Sequence, residues 1–243
     1  MIKNDVHLGD CLDLMQNISS SSIDMIICDN PYQQTTQNKW DKIIPIEPLW
    51  KQYKRIIKDH GVICLTGQGL FSAKMIIAAQ DIYRYSLIWK KNKPRGFLNA
   101  NKQPLRIHED ILVFYKKQPI YNPQKTTGHS PVHSYIKHTT DGSNYGKTKL
   151  GVKGGGSTER YPTSIVEIDV VNNEDTDKFH STQKPVELGK WLINTYTNVG
   201  DSVLDNACGS GSFLVAAKEL GRNYIGMDIS EEFVNFAKKR LEL

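Results

Sequence analysis

The run Ser202-Val203-Leu204-Asp205-Asn206-Ala207-Cys208-Gly209-Ser210-Gly211-Ser212 opens as a short buried strand, ends that strand on an acid and turns through two glycines into a helix. Phe213, Leu214, Ala217 and Leu220 recur at helical spacing beyond the turn, and Tyr224-Ile225-Gly226-Met227-Asp228 is another strand with a terminal acid. Strand, helix and strand in this order form a crossover unit, whose two strands lie parallel in one sheet.

The same alternation extends in both directions. Val6-His7-Leu8 leads through Gly9-Asp10 into Leu12, Leu14, Met15 and Ile18, which reads as strand, turn and helix. Residues 24–28 form a second strand that closes on Asp29-Asn30-Pro31-Tyr32, where the proline makes a rigid turn. Residues 45–58 carry helical spacing at Leu49, Trp50, Tyr53, Ile56 and Ile57, with Gly61 as the stop. Residues 62–66 are a buried strand ending in Gly67-Gln68-Gly69 before an apolar helix, and residues 83–89 and 107–115 are further strands. Pro185 opens a later helix, and Ser230 caps the last one with Glu231 and Glu232 in its first turn. These elements predict an α/β fold with a mainly parallel, doubly wound sheet and function at the carboxyl ends of its strands. Asp10, Asp29, Gly67, Asp205 and Asp228 all fall at predicted strand ends.

A chain of 243 residues fits one large α/β domain with an insert. No apolar run approaches the roughly eighteen residues of a membrane span, and residues 1–5 offer no apolar signal region, so a cytoplasmic protein is expected. The four cysteines, Cys11, Cys28, Cys64 and Cys208, lack a C-x-x-C pair, which suggests neither a disulfide framework nor a metal site. Net charge is a mild +5, but its distribution is uneven. Between Trp89 and Arg106 stand Lys90, Lys91, Lys93, Arg95, Lys102 and Arg106 with no acid, a stripe suited either to a polyphosphate backbone or to a solvated face.

From residue 116 to residue 178 apolar periodicity fades, and the glycine-rich run at residues 151–156 is the most flexible point. Tyr121, Tyr135, Tyr145 and Tyr161, interleaved with Lys147, Lys149, Lys153 and Arg160, favour a recognition region over a linker. The acidic run at residues 167–177 is expected to be a solvated return to the core.

The Gly209-Ser210-Gly211 turn lets a ligand approach the backbone, and Asp228 stands where an acid accepts hydrogen bonds from ribose hydroxyls. An adenosine-containing ligand follows. A nicotinamide dinucleotide fits less well, because Leu214 replaces the third glycine of the G-x-G-x-x-G pattern.

Three motifs in a set order carry a resemblance. Asp205-x-x-x-Gly209-Ser210-Gly211 resembles the S-adenosylmethionine loop of DNA amino-methyltransferases, Asp29-Asn30-Pro31-Tyr32 is similar to their D-P-P-Y motif, and His180-Ser181-Thr182-Gln183-Lys184-Pro185 is similar to their H-P-T-Q-K-P segment. Catalytic motif first, insert next and cofactor loop last is the order of the beta class of S-adenosylmethionine-dependent adenine-N6 and cytosine-N4 enzymes, and the likeness spans nearly the whole chain. It implies a Rossmann-like, doubly wound, mostly parallel seven-stranded methyltransferase sheet with an inserted DNA-recognition region. Residues 1–115 would be the catalytic half, 116–178 the target-recognition insert and 179–243 the cofactor-binding half. Three departures stand out: Asn30 and Ser181 replace prolines, and Asn206-Ala207 replace a Pro-Phe pair.

By that resemblance the catalytic residues are Asp29, Asn30, Pro31 and Tyr32. The Asp29 carboxylate and the Asn30 main-chain carbonyl would accept the two protons of an exocyclic amine, localising its lone pair for direct in-line attack. Tyr32 would stack on a base flipped out of the duplex, a contact worth ~1 to 3 kcal/mol. The cofactor would meet Asp10, Cys11, Thr182, Lys184, Asp205, Ala207, Cys208, Gly209, Ser210, Gly211 and Asp228. Contacts to double-stranded DNA would come from Lys90, Lys91, Lys93, Arg95, Lys102, Arg106, Lys153 and Arg160, and no metal is implied. Because cytosine-N4 enzymes usually begin the catalytic motif with serine, Asp29 favours adenine-N6 methylation within a restriction-modification setting. A cognate restriction endonuclease is then a candidate partner, and the assembly is a monomer or a homodimer. The competing readings are a cytosine-N4 methyltransferase, a methyltransferase-like DNA-binding module without turnover, and a nicotinamide oxidoreductase.

Overall fold

The computed structural model describes residues 2–31, 43–136, 151–172 and 183–242. In chain order its elements are β1 (Asp5–Leu8), α1 (Cys11–Met15), β2 (Ile23–Cys28), α2 (Ile46–Ile56), β3 (Ile57–Gly67), α3 (Gly69–Ala78), β4 (Tyr83–Arg95), β5 (Arg106–Phe114), β6 (Tyr135–Ile136), β7 (Lys153–Gly154), β8 (Ile165–Glu167), α4 (Val186–Tyr196), β9 (Ser202–Asp205), α5 (Ser212–Glu219), β10 (Asn223–Asp228) and α6 (Glu231–Arg240).

One sheet has the strand order β1-β10-β9-β2-β3-β5-β4-β8. From β1 through β3 neighbours run parallel, β5 is antiparallel to both β3 and β4, and β8 is parallel to β4. All seven strands read from the sequence are therefore present, and the sheet gains an eighth. That strand, β8, begins just before the stretch expected to be a solvated acidic return. It pairs because Val166 faces the core while Ile165 and Glu167 face outward, an alternation that suits an edge.

Strand β2 lies between two cores and feeds both by its period of two. Met25 and Ile27 join α4, α5 and α6 through Leu188, Leu192, Phe213, Leu214 and Val234. Ile26 and Cys28 join α1, α2 and α3 through Met15, Leu49, Tyr53, Phe71 and Met75. The passage from α2 into β3 has no intervening loop, so Gly61 lies inside a strand rather than stopping a helix. A Cβ there would stand 2.8 Å from the Asp24 carbonyl oxygen, and this close approach explains the glycine.

Strand β9 continues into β10 on one side of the sheet, and β2 continues into β3 on the other. The carboxyl ends of β9 and β2 thus flank a topological switch point, where an open α/β sheet leaves a crevice.

The chain divides into Met1–Asn122 with Ser164–Leu243, and a smaller unit, Pro123–Thr163. The smaller unit lies within the stretch 116–178 read as an insert, whose end contributes β8 to the main sheet. It contains the short β6–β7 pair and the Thr126–Arg160 bridge, and an ion pair joins Lys125 to Glu159 at 2.8 Å. Among the described residues no helix is long and apolar enough to cross a membrane.

Candidate active site

A cavity of about 750 Å³ opens at the switch point. Its walls come from the turn after β1 (Gly9, Asp10, Cys11), the turn after β2 (Asp29, Asn30, Pro31), the turn after β9 (residues 205–210) and the end of β10 (Asp228). Trp89 and Lys91 of β4 and His108 and Glu109 of β5 close a further side, together with Lys184. The strand-end acids expected from the sequence therefore converge on one space. Tyr32 and Thr182 lie outside the described residues, as do His180, Tyr145, Lys147 and Lys149.

Asp29 is half-buried and held from two sides. The Thr66 hydroxyl, at the end of β3, donates to Oδ1, and Lys184 Nζ lies 2.6 Å from Oδ2. Lys184 precedes α4 and is 8% exposed, so it is a wall of the cavity and not a solvated lysine. Its ammonium also stands 3.2 Å from the buried Glu109 Oε2, completing an ion pair. Lys91 donates to the other Glu109 oxygen and lies 4.7 Å from the Trp89 ring centroid. Burial pushes the Glu109 carboxyl upward, but the Lys184 and Lys91 ammoniums outweigh it and hold the group below its ordinary value. Two carboxylates and two ammoniums thus form a charge-balanced cluster, which the low-dielectric interior requires.

Asn30 is buried and its side-chain amide is hydrogen-bonded through both its nitrogen and its oxygen. Nδ2 donates to the Tyr53 hydroxyl at 3.2 Å, while Oδ1 accepts from Asn206 Nδ2 at 3.1 Å and from the Cys28 thiol at 3.3 Å. Burial pushes the Cys28 thiol well up, in keeping with a packing role beside the motif.

The turn after β9 has a different character. Asp205 is buried, accepts the Ala207 N–H at 3.3 Å, and is paired with no cation among the described residues. Desolvation pushes its carboxyl up to about 7. Gly209 has φ +50°, faces open space, and donates its N–H to Asp228 Oδ2 at 2.8 Å. Asp228 Oδ1 accepts the Ser230 N–H at 2.9 Å, and burial raises its carboxyl. Gly211 has φ +76° and does not line the cavity; a Cβ on it would meet Ala237 Cβ at 3.0 Å. Asp10 is exposed and caps α1 through the Leu12 N–H at 2.8 Å. Cys11 and Cys208 are buried in the wall, with burial raising the Cys11 thiol to about 11.

The basic stripe rides on a long β4–β5 hairpin, because β4 extends to Arg95 and pairs there with Arg106. Lys90, Lys93, Arg95, Lys102 and Arg106 are exposed along it, and Phe97 and Leu98 stand exposed near its tip. Lys91 departs from the stripe: it faces Glu109 inside the cavity. In the smaller unit Lys153 is exposed, whereas the Arg160 guanidinium is spent on the carbonyls of Ser157, Glu159 and Ser130.

Thr66, Tyr53, Glu109 and Asn206 escaped the sequence reading as site residues. Glu109 sits in His108-Glu109-Asp110 at the entrance of a strand, an acidic pair whose position was legible but whose partners come from distant segments.

The sequence matches the family described as DNA methylase over residues 23–239. The Type II methyltransferase M.HinfI of Haemophilus influenzae is 28% identical over 277 aligned residues, covering 98% of this chain and 68% of that protein. Two solved structures share the fold. One is the M1.HpyAVI–SAM complex, with TM-score 0.66, 21% identity, and coverage of 98% of this chain and 99% of that one. The other is the PvuII DNA methyltransferase, described as cytosine-N4-specific, with TM-score 0.69, 15% identity, and coverage of 97% and 85%.

Proposed function

The chain belongs to the DNA methylase family, and from that premise we propose that it transfers a methyl group from S-adenosylmethionine to N6 of an adenine flipped out of double-stranded DNA. The observation that carries the reading is the half-buried Asp29 carboxylate, oriented by Thr66 and Lys184 beside Asn30, across the crevice from the Gly209 turn. A carboxylate and a neighbouring main-chain carbonyl are two acceptors for the two protons of one amine. Holding both draws the nitrogen toward tetrahedral geometry and localises its lone pair for attack.

The cofactor fits the residues present. Among the described residues Asp205 is a buried acid without a counter-cation, and a ligand bearing an ammonium or sulfonium group would supply one. Gly209 offers a backbone that a ligand can approach, while Asp228 and Asp10 supply carboxylate oxygens toward ribose and adenine. When bound, the cofactor supplies an electrophilic methyl group. Lys184 is better suited to orienting Asp29 than to holding the methionine end, since its ammonium already lies against that carboxylate.

We assign DNA backbone contacts to Lys90, Lys93, Arg95, Lys102 and Arg106 on the hairpin, with Lys153 in the smaller unit. Pairing with a cognate restriction endonuclease belongs to the same proposal. Asp29 favours adenine, by the resemblance noted above. Mass analysis of nucleosides from DNA incubated with the protein and S-adenosylmethionine is expected to give N6-methyladenine, with loss of activity on the order of 10³-fold in Asp29→Ala. An N4-methylcytosine product would overturn the choice of base, and cofactor binding without methylation of any DNA would overturn the enzyme reading.

A further inference from the structure

The crevice is flanked by two strands whose pairing stops early. Strands β2 and β9 are in register at Met25–Val203 and Ile26–Leu204, and the ladder goes no further. Beyond it the two turns that carry the site are joined by side chains. Asn30 Nδ2 donates to the Tyr53 hydroxyl at 3.2 Å, that hydroxyl donates to Asn206 Oδ1 at 2.5 Å, and Asn206 Nδ2 donates back to Asn30 Oδ1 at 3.1 Å. The ring closes head to tail. All three residues are buried, and the outer positions are satisfied by sulfur: Cys28 Sγ donates to Asn30 Oδ1 at 3.3 Å, and Asn206 Nδ2 reaches Cys11 Sγ at 3.7 Å.

We propose that Asn30, Tyr53 and Asn206 form a positioning ring that fixes the Asn30 main-chain carbonyl against the cofactor turn, and thereby sets the separation between the amine acceptors and the methyl donor. The inference rests on the function proposed above. Its physical basis is that buried amides and hydroxyls cannot turn to water when a partner leaves, so any slip between the two turns breaks bonds that nothing replaces. Tyr53 is the fixed post. It sits on α2, makes an edge contact with Trp50 at 5.5 Å, and does not line the cavity, so it acts on the reaction through Asn30 and Asn206. The ring also accounts for two departures from the resembled motifs. Asn30 and Asn206 each stand where a proline ring would stiffen the turn, and here each turn is stiffened by the other.

Tyr53→Phe removes one oxygen and no carbon. In single-turnover assays with saturating S-adenosylmethionine and duplex DNA, methyl transfer by this variant is expected to slow on the order of 10- to 100-fold. Its dissociation constants for cofactor and DNA should stay at wild-type values. Asn206→Ala opens the ring from the cofactor turn itself and tests the rate alone at a second position, and the double variant should be no slower than the slower single, because either change opens the same ring. A circular-dichroism melt establishes that each variant is folded. Wild-type rates in folded Tyr53→Phe, or losses that multiply in the double variant, would overturn the ring. If the wild-type protein transfers no methyl group to any DNA, the proposed function falls first and takes the ring with it.

Discussion

The turns after β2 and β9 both end a buried strand on an aspartate, yet the two acids are chemically unlike. Asp29 meets a hydroxyl and an ammonium, Thr66 and Lys184, within a cluster of two carboxylates and two lysines. Asp205 meets the Ala207 N–H and the Cys28 thiol but no cation among the described residues, and desolvation raises its carboxyl to about 7. One wall of the crevice is balanced in advance, as suits a group that must act as an oriented acceptor. The other is left short of positive charge, as suits a site that receives a cation. The same local pattern in the sequence gives two roles because the partners come from elsewhere in the chain.

Removing the balance from the first wall should have the largest effect. Lys184→Met leaves Asp29 and Glu109 facing each other with Lys91 as the remaining ammonium. Breaking such a pair costs about 3 kcal/mol. In a melt this corresponds to a fall of roughly 10 °C for a chain of this size. Methyl transfer should fall on the order of 100-fold through misorientation of Asp29. An unchanged melting temperature and rate would mean that the contrast between the two walls has no energetic content.

The second wall can be probed by pH. The folded pKa of Asp205, about 7, lies above its ordinary value of 3.8, so the folded protein holds a proton that the unfolded chain releases between those values. Stability in the absence of ligand should therefore decline as pH rises through that window, with the penalty complete above about 7 and absent below 3.8. Asp205→Asn should melt higher than wild type at pH 8, and the gap should close near pH 4. Affinity for S-adenosylmethionine should show the opposite slope, since the cation prefers the ionised acid. Below pH 7 it should rise up to tenfold per pH unit and then level off, and this dependence should vanish in Asp205→Asn. A calorimetric affinity that is flat from pH 5.5 to 8 would remove Asp205 as the cation's partner.

How far these roles were legible follows from where their determinants lie. The glycine turn, the strand-end acids and the parallel sheet are local signals, each contained in a few consecutive residues. Residues 202–228 alone disclosed strand, turn, helix and strand. The eighth strand was hidden because Ile165-Val166-Glu167 is short and adjoins an acidic run. Tyr53 read as one apolar position among several on α2, since nothing in its spacing discloses a hydroxyl aimed at a crevice. Glu109, Lys91 and Lys184 lie on three segments separated by up to ninety-three positions in the sequence, and their charge balance exists only once β4, β5 and the start of α4 are assembled. Lys91 could not be told from its neighbours in the basic stripe, because turning inward depends on Glu109 standing across the hairpin.

The two glycines of the second turn offer the finest distinction between the walls. The turn after β2 carries side chains at every position, Asp29, Asn30 and Pro31, whereas the turn after β9 has Gly209 and Gly211. Gly211 is needed for packing, since a Cβ there would crowd Ala237 at 3.0 Å in a left-handed conformation. Gly209 has the same conformation, but a Cβ there would meet nothing within 4 Å. In the protein alone, Gly209→Ala should therefore cost only the left-handed backbone penalty of about 1–2 kcal/mol. The new methyl group would project into the space where a ligand must approach the peptide, so cofactor affinity should fall on the order of tenfold by the steric argument for such turns. Gly211→Ala should reverse the ranking, with the greater loss in the melt and the smaller loss in affinity. Equal effects of the two substitutions on affinity would mean that the peptide at Gly209 is not approached by the cofactor, and the opening at that turn would then be a product of its backbone conformation alone.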